Sequence, residues 1–208
     1  MLTELSLQKF IDVTAGSDPV PGGGSIAALA GTLSAALAHM VAGLTIGKKK
    51  YLEVEEDMKA IAEKTAAIQA KLYAAIDRDS EAYNIVFEAF KLPKDTDEEK
   101  AKRSEAIQSA TKVAAQVPME VAELSYSLIP FIREVVKKGN QNAVTDGCVA
   151  MLCCRTAVLG ALLNVRINLS SIKDEAFVND YTAKAQKLES EISKVEQEIL
   201  SLTYNAIR

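Results

Sequence analysis

The stretch PVPGGGSIAALAGTLSAALAHMVAGLTIGKKKY, residues 19–51, decides the fold. Three glycines stand between a proline and a serine, about two dozen small or apolar residues follow without a charge, and three lysines close the run. Ser25 to Gly47 has the length of a membrane span and a positive flank. Its many Ala, Gly, Ser and Thr residues and His39 leave it only weakly hydrophobic, and every other long segment is amphipathic. The segment therefore reads as a central helix of a soluble bundle, buried by its neighbours. The lysines suit its C-terminus, where the helix dipole favours cations.

Working outward, the apolar residues recur at helical spacing and no strand pattern is found. A first amphipathic helix covers Thr3 to Thr14. The central helix runs from Ser25, its candidate cap, to near Gly47. A long helix covers Glu53 to Lys91, with a stripe that includes Ile76, Asp79, Tyr83, Val86 and Phe90. After the loop LPKDTDEEK, capped at Asp95 or Thr96, a helix runs toward Gln116. Pro118 marks a restart or kink and Pro130 a second bend. The segment stops at KKGN, with Gly139 in the C′ position. Ala143 to Leu169 forms a second apolar helix, the partner of the first. From Asp174 to the end, Val178, Tyr181, Ala185, Leu188, Ile192, Val195, Ile199, Leu202 and Ala206 repeat at a strict heptad spacing. That seam is narrow, with polar flanks on both sides, and suits a single partner helix from this subunit or another. The fold class expected is all-α: a multi-helix antiparallel bundle with two buried central helices and a long C-terminal heptad helix, in one domain over 1–208.

Composition agrees. With 49% apolar and 25% charged residues the chain is globular, and with few aromatics and no Trp it suits close helix packing. A net charge of −4 argues against a nucleic-acid partner. No leader pattern opens the chain. Cys148, Cys153 and Cys154 have neither zinc nor disulfide spacing and read as reduced thiols, which points to the cytoplasm.

The glycine turn lets backbone N–H groups approach an anion at a helix N-terminus. It also serves as a tight lead into a buried helix. It is no P-loop, since no Lys-Ser or Lys-Thr follows, and no dinucleotide fingerprint, since no strand precedes it. Asp79 is a carboxylate on an apolar stripe, expensive unless paired with a core cation or used. Asp77 lies beside it. Asp146 opens an otherwise apolar helix, where it or Thr145 can serve as cap. It shares a face with Asn164 and Asn168, yet Asp146 and Asn164 stand about 27 Å apart at helical rise. His39 reads as a satisfied core residue. No Glu-x-x-His pair suggests a di-iron bundle.

At these residues the chain resembles a known family. VPGGGSIAALAGTLSAALAHMVAGLTIGKKKY, DRDSEAYNIVFEAFKLPKDTDEEKAKR, GNQNAVTDGCVA and LNVRINL occur in the order found in the cyclodeaminase/cyclohydrolase family. That family includes the C-terminal domain of formiminotransferase-cyclodeaminase and stand-alone methenyltetrahydrofolate cyclohydrolases. The resemblance implies a helical homodimer, with the heptad seam of the terminal helix shared between subunits. It would hydrolyse 5,10-methenyltetrahydrofolate or cyclodeaminate 5-formiminotetrahydrofolate, with no metal, membrane or cofactor beyond the tetrahydrofolate substrate. Carried over, Asp146 is the leading acid/base candidate and Asp79 the second. Gly22, Gly23, Gly24, Ser25, Asp77, Asn140, Asn164 and Asn168 are substrate-binding candidates, with the two last asparagines reading the pterin. Lys48 and Lys49 suit the anionic glutamate tail. The alternatives are a non-catalytic folate-binding protein and a structural helical dimer.

Overall fold

The computed structural model describes residues 1–207. Among them no strand forms. The chain builds helices α1 (Leu7–Thr14), α2 (Gly23–Thr45), α3 (Glu55–Lys91), α4 (Asp97–Tyr126), α5 (Ile129–Lys138), α6 (Val144–Leu169) and α7 (Glu175–Ala206). Short 3-10 turns occupy Leu2–Glu4, Lys49–Val54 and Gln141–Ala143. Helix α1 begins later than its spacing suggests because Ser6 caps it, its hydroxyl accepting from the Lys9 N–H at 3.2 Å.

Helix α2 packs antiparallel against α3 and α6. Near its start Ser25 Oγ donates to the Ile76 carbonyl at 2.9 Å; midway Ser34 Oγ donates to the Ala150 carbonyl at 2.7 Å; at its end Thr45 Oγ1 accepts from the Asn140 N–H at 2.9 Å. Ala28, Ala35, Ala38 and Ala42 are fully buried, so the small residues permit the close approach expected of them. Helix α4 runs antiparallel to α3, joined by Arg78–Glu120 and by Arg103 on the Phe90 carbonyl. Leu72, Ile76, Leu128, Ile132, Met151 and Leu162 fill the core. Each contributes about 1.5–3 kcal/mol relative to exposure.

Three local expectations are corrected. Pro118 neither breaks nor restarts its helix, and α4 continues through it. Proline removes the N–H that would have bonded the Ala114 carbonyl, and such a site costs about 3 kcal/mol. Here the Asn168 amide donates to that carbonyl at 3.0 Å. The bond returns about 1 kcal/mol; burial of Pro118 between Val117 and Met119 offsets more. Gly139 is not a left-handed C′ residue. It is the C-cap itself, in extended backbone, and is glycine because a Cβ would lie 2.4 Å from the Val135 carbonyl oxygen. Neither Thr145 nor Asp146 caps α6, whose N-cap is Ala143 without a side-chain bond.

The heptad seam of α7 folds back on its own bundle. Ala185, Ile192 and Ile199 are fully buried against the chain's own core, and Arg155–Glu196, Arg166–Glu189 and Arg133–Glu198 fix the helix to α6 and α5. The seam is thus filled within the subunit.

Helices α2 and α6 are central but not covered on every side. Leu33, Met40 and Leu44 on α2 and Val149, Leu152, Leu163 and Ile167 on α6 are 38–69% exposed. They fall on one face of each helix, and the two faces lie side by side. Both helices are long and apolar enough to cross a membrane, and half of each apolar window is buried in the bundle.

Candidate active site

The glycine turn opens a cleft of about 330 Å³. Its walls are Pro19, Val20 and Gly22 to Gly24, then Asp79, Tyr83 and Val86 of α3, Ala114 of α4, and Asn164, Ile167 and Asn168 of α6. Gly22, not Ser25, is the N-cap of α2. Ser25 lies one turn in and is fully buried.

Asp79 reaches the turn because Gly24 has no side chain: a Cβ there would sit 2.0 Å from Asp79 Oδ1. Ser25 Oγ also lies 3.1 Å from Asp79 Oδ2 and 3.1 Å from Ser80 Oγ. Among the described residues no cation pairs with Asp79; Arg78, the neighbouring cation, is held by Glu120. Burial pushes the Asp79 carboxyl above the usual carboxylate range, opposed by hydrogen bonds from the Ser25 hydroxyl and N–H. A carboxylate that is costly to ionise, without a counter-charge and beside a cleft, is the arrangement expected of a base that awaits a cation.

The second polar wall belongs to α6. The Asn164 amide donates to the Gly160 carbonyl at 2.9 Å and stands 3.1 Å from where a Gly23 Cβ would be. Asn168 spends both amide hydrogens, on the Ala114 and Asn164 carbonyls. Gly22, Gly23, Gly24, Ser25, Asp79, Asn164 and Asn168 are therefore brought together.

The other candidates stand elsewhere. Asp77 accepts from the Leu2 N–H and the Thr3 hydroxyl, both at 2.5 Å, and ties down the N-terminal turn. Asn140 is a latch at the far end of the bundle: it donates to the Leu44 carbonyl at 3.1 Å and accepts from the Asn142 N–H. Lys48 and Lys49 follow the end of α2, a 23-residue helix about 34 Å long. Asp146 is half-buried in the first turn of α6 at that same end. Within one chain, none of Asp146, Lys48, Lys49 and Asn140 reaches the cleft. His39 is exposed, not core, and donates from Nδ1 to the Ala62 carbonyl at 2.9 Å. Burial and the neighbouring Cys153 push the Cys154 thiol up to about 12, so it is inert.

Tyr83 and Val86 were readable as core because they continue the stripe of Ile76. They line the cleft instead, Tyr83 being 40% exposed, because α3 overruns the glycine turn and leaves that stripe uncovered. Their spacing of four and seven residues from Asp79 was the available signal. Pro19, Val20, Ala114 and Ile167 gave none.

A family profile described as formiminotransferase-cyclodeaminase matches residues 6–187. A methenyltetrahydrofolate cyclohydrolase of Methylorubrum extorquens is 40% identical over 93% of each chain. A formimidoyltransferase-cyclodeaminase of Mus musculus is 36% identical over 85% of this chain and 32% of its own length. Among solved structures, a formiminotetrahydrofolate cyclodeaminase from Thermotoga maritima superposes with a TM-score of 0.88, at 31% identity and over 100% of both chains. With the profile spanning most of the sequence and a relative alike along nearly its whole length, the chain belongs to the formiminotransferase-cyclodeaminase family.

Proposed function

We propose that the chain is a folate-dependent one-carbon enzyme that hydrolyses 5,10-methenyltetrahydrofolate, with Asp79 as its acid/base. The carrying observation is the carboxylate of Asp79, held against the glycine turn with no cationic partner among the described residues. Methenyltetrahydrofolate is an amidinium cation, which supplies that missing charge. Water adds to the one-carbon centre while Asp79 takes its proton. The adduct then opens at one C–N bond as Asp79 returns the proton to the departing nitrogen, and the new carbonyl sheds its own proton to solvent. A base raised by burial is better matched to this task than an exposed aspartate. The amide groups of Asn164 and Asn168 face the pterin, and no metal is called on. The full-length likeness to a cyclohydrolase supports this choice of reaction.

Cyclodeamination of 5-formiminotetrahydrofolate is the second reading, favoured by the likeness to the cyclodeaminase structure. The same group, protonated, would give its proton to departing ammonia. The absorbance of the methenyl compound tests both: it should fall on addition of enzyme to 5,10-methenyltetrahydrofolate and, for a cyclodeaminase, rise with the formimino compound. No change with either, in a protein that still binds tetrahydrofolate, would leave a non-catalytic binding protein.

The enzyme works in the cytoplasm as a homodimer on this reading, joined through the uncovered apolar faces of α2 and α6. A two-fold axis across the middle of that face would set the Asp146 and Lys48 end of each copy beside the cleft of the other.

A further inference from the structure

A second depression, of about 410 Å³, lies where α3 and α4 overrun the bundle. It is lined by Lys94, Lys100, Arg103 and Lys173, with Ile107 between them and the cleft. One face of α4 lines both. On α3, Asp79, Tyr83 and Val86, which line the cleft, follow one another at intervals of four and three residues. On α4, Ala114, Ile107 and Arg103 do so at seven and four. The α6–α7 loop closes the side, with Gln108 holding the Ser171 carbonyl and the Lys173 N–H. The cleft and the depression thus follow one another along α4, about 16 Å from Ala114 to Arg103. We take them together as one groove, acidic at the turn, apolar at Tyr83, Val86 and Ile107, and basic at the far end.

The basic end is not spent on the protein's own acids. Among the described residues no ion pair involves Lys94, Arg103 or Lys173, while Lys100 pairs with Asp97 at 2.9 Å. Arg103 gives two of its N–H groups to the Phe90 carbonyl and lies 5.5 Å from the centroid of the Phe90 ring, while its remaining N–H groups meet no acid among the described residues. Of the acids nearby, Glu98 is held by Lys102, and Glu99 caps α4 by accepting from Asp95 and Thr96.

We propose that this groove binds the p-aminobenzoyl-glutamate portion of the substrate. The benzoyl ring lies along Tyr83, Val86 and Ile107, and the glutamate tail, with any further γ-linked glutamates, lies on Arg103, Lys94 and Lys173. The assignment rests on the folate reading and deepens it. It places the tail on cations of the same chain as Asp79, in place of Lys48 and Lys49, which within that chain lie about 34 Å from the turn at the other end of α2 and reach a cleft only across the proposed two-fold axis.

The test compares mono- and triglutamate forms of 5,10-methenyltetrahydrofolate. Lys94→Ala with Lys173→Ala leaves the Arg103 bond to Phe90 intact and removes two exposed cations. It should raise KM for the triglutamate about tenfold, raise it less for the monoglutamate, and leave kcat unchanged, the signature of lost uniform binding. Adding Arg103→Ala should deepen the effect. Added salt should shrink the wild-type preference for the triglutamate. Equal KM changes for the two substrates, or a triglutamate preference lost on Lys48→Ala with Lys49→Ala instead, would overturn the groove. p-Aminobenzoyl-triglutamate, which has ring and tail but no pterin, separates this from the function itself. Titrated into the protein, it should bind the wild type and not the Lys94→Ala, Lys173→Ala, Arg103→Ala variant, whether or not either folate turns over. Equal binding to both proteins would also overturn the groove.

Discussion

Gly24 and Asp79 occupy one site from two helices, so each explains the other. A methyl group on Gly24 would overlap the Asp79 carboxyl at 2.0 Å, whereas one on Gly23 would meet only the Asn164 amide at 3.1 Å. Gly24→Ala should therefore lower kcat by about 100-fold, the scale for displacing a reacting group by an ångström, and Gly23→Ala by less than about tenfold. Steady-state kinetics on the two purified variants decides it; equal losses would show that the turn binds substrate by its backbone and does not position Asp79. Asp79→Asn should cost activity about 100-fold or more and yet stabilise the fold. The sign follows from the raised carboxyl. An unfolded aspartate loses its proton near 3.9. Above that pH the folded protein still holds a proton that the unfolded chain has lost, so stability falls as pH rises through the folded value and stays lower above it. The asparagine variant lacks this decline. Its melting temperature should exceed that of the wild type at pH 8, with a smaller gap at pH 4. A lower melting temperature at pH 8 would make Asp79 a structural residue.

At the scale of elements, the terminal helix separates what spacing encodes from what it does not. The heptad from Val178 to Ala206 specified a helix with a narrow seam, and α7 has both. It did not specify whose surface fills the seam, since a one-dimensional pattern is the same for either partner. The chain's own α4, α5 and α6 fill it. Ile192→Asp would place an unpaired charge at a fully buried position, a change of several kcal/mol. Unfolding or a large fall in melting temperature is expected in circular dichroism. A folded protein of halved mass in light scattering would instead put the seam between subunits. Pro118 and Asp146 show the same limit from other sides. The partner that tolerates Pro118 is Asn168, fifty residues on, and no local rule points to it. Asp146 and Asp79 were both carboxylates on apolar helices. What separates their places is the meeting of α3 with the glycine turn, a contact between residues 24 and 79 that periodicity does not contain. The asparagines and glycines of the cleft were legible because their types are unusual for a helix core. Tyr83 and Val86 were not, because an uncovered apolar stripe has the same sequence as a covered one.

Over the whole molecule, the family-like polar residues divide between two ends of the bundle, and the apolar face of α2 and α6 runs between them. Exposed apolar residues gathered on one face suit an interaction surface, and a self-complementary one is closed by a two-fold axis. In the proposed dimer, an axis across the middle of the face would reverse the helices, so the end that bears Asp146, Lys48 and Lys49 would come to the cleft of the other copy. Solvent would then be excluded from a cleft that one chain leaves open, which strengthens the pull of Asp79 on a cationic substrate. Leu33 and Met40, 49% and 38% exposed, lie on this face away from the cleft. Leu33→Glu with Met40→Glu should leave the helical content and the core intact, because both side chains already meet solvent in the single chain. It should convert a dimer into a monomer by light scattering, and turnover should fall with it, since the end carrying Asp146 would be withdrawn from the cleft. A wild-type protein that is monomeric at the concentration of the assay, or a double variant that remains a dimer, would remove this face from the assembly. A folded monomer with full turnover would show that the cleft of one chain suffices for the chemistry.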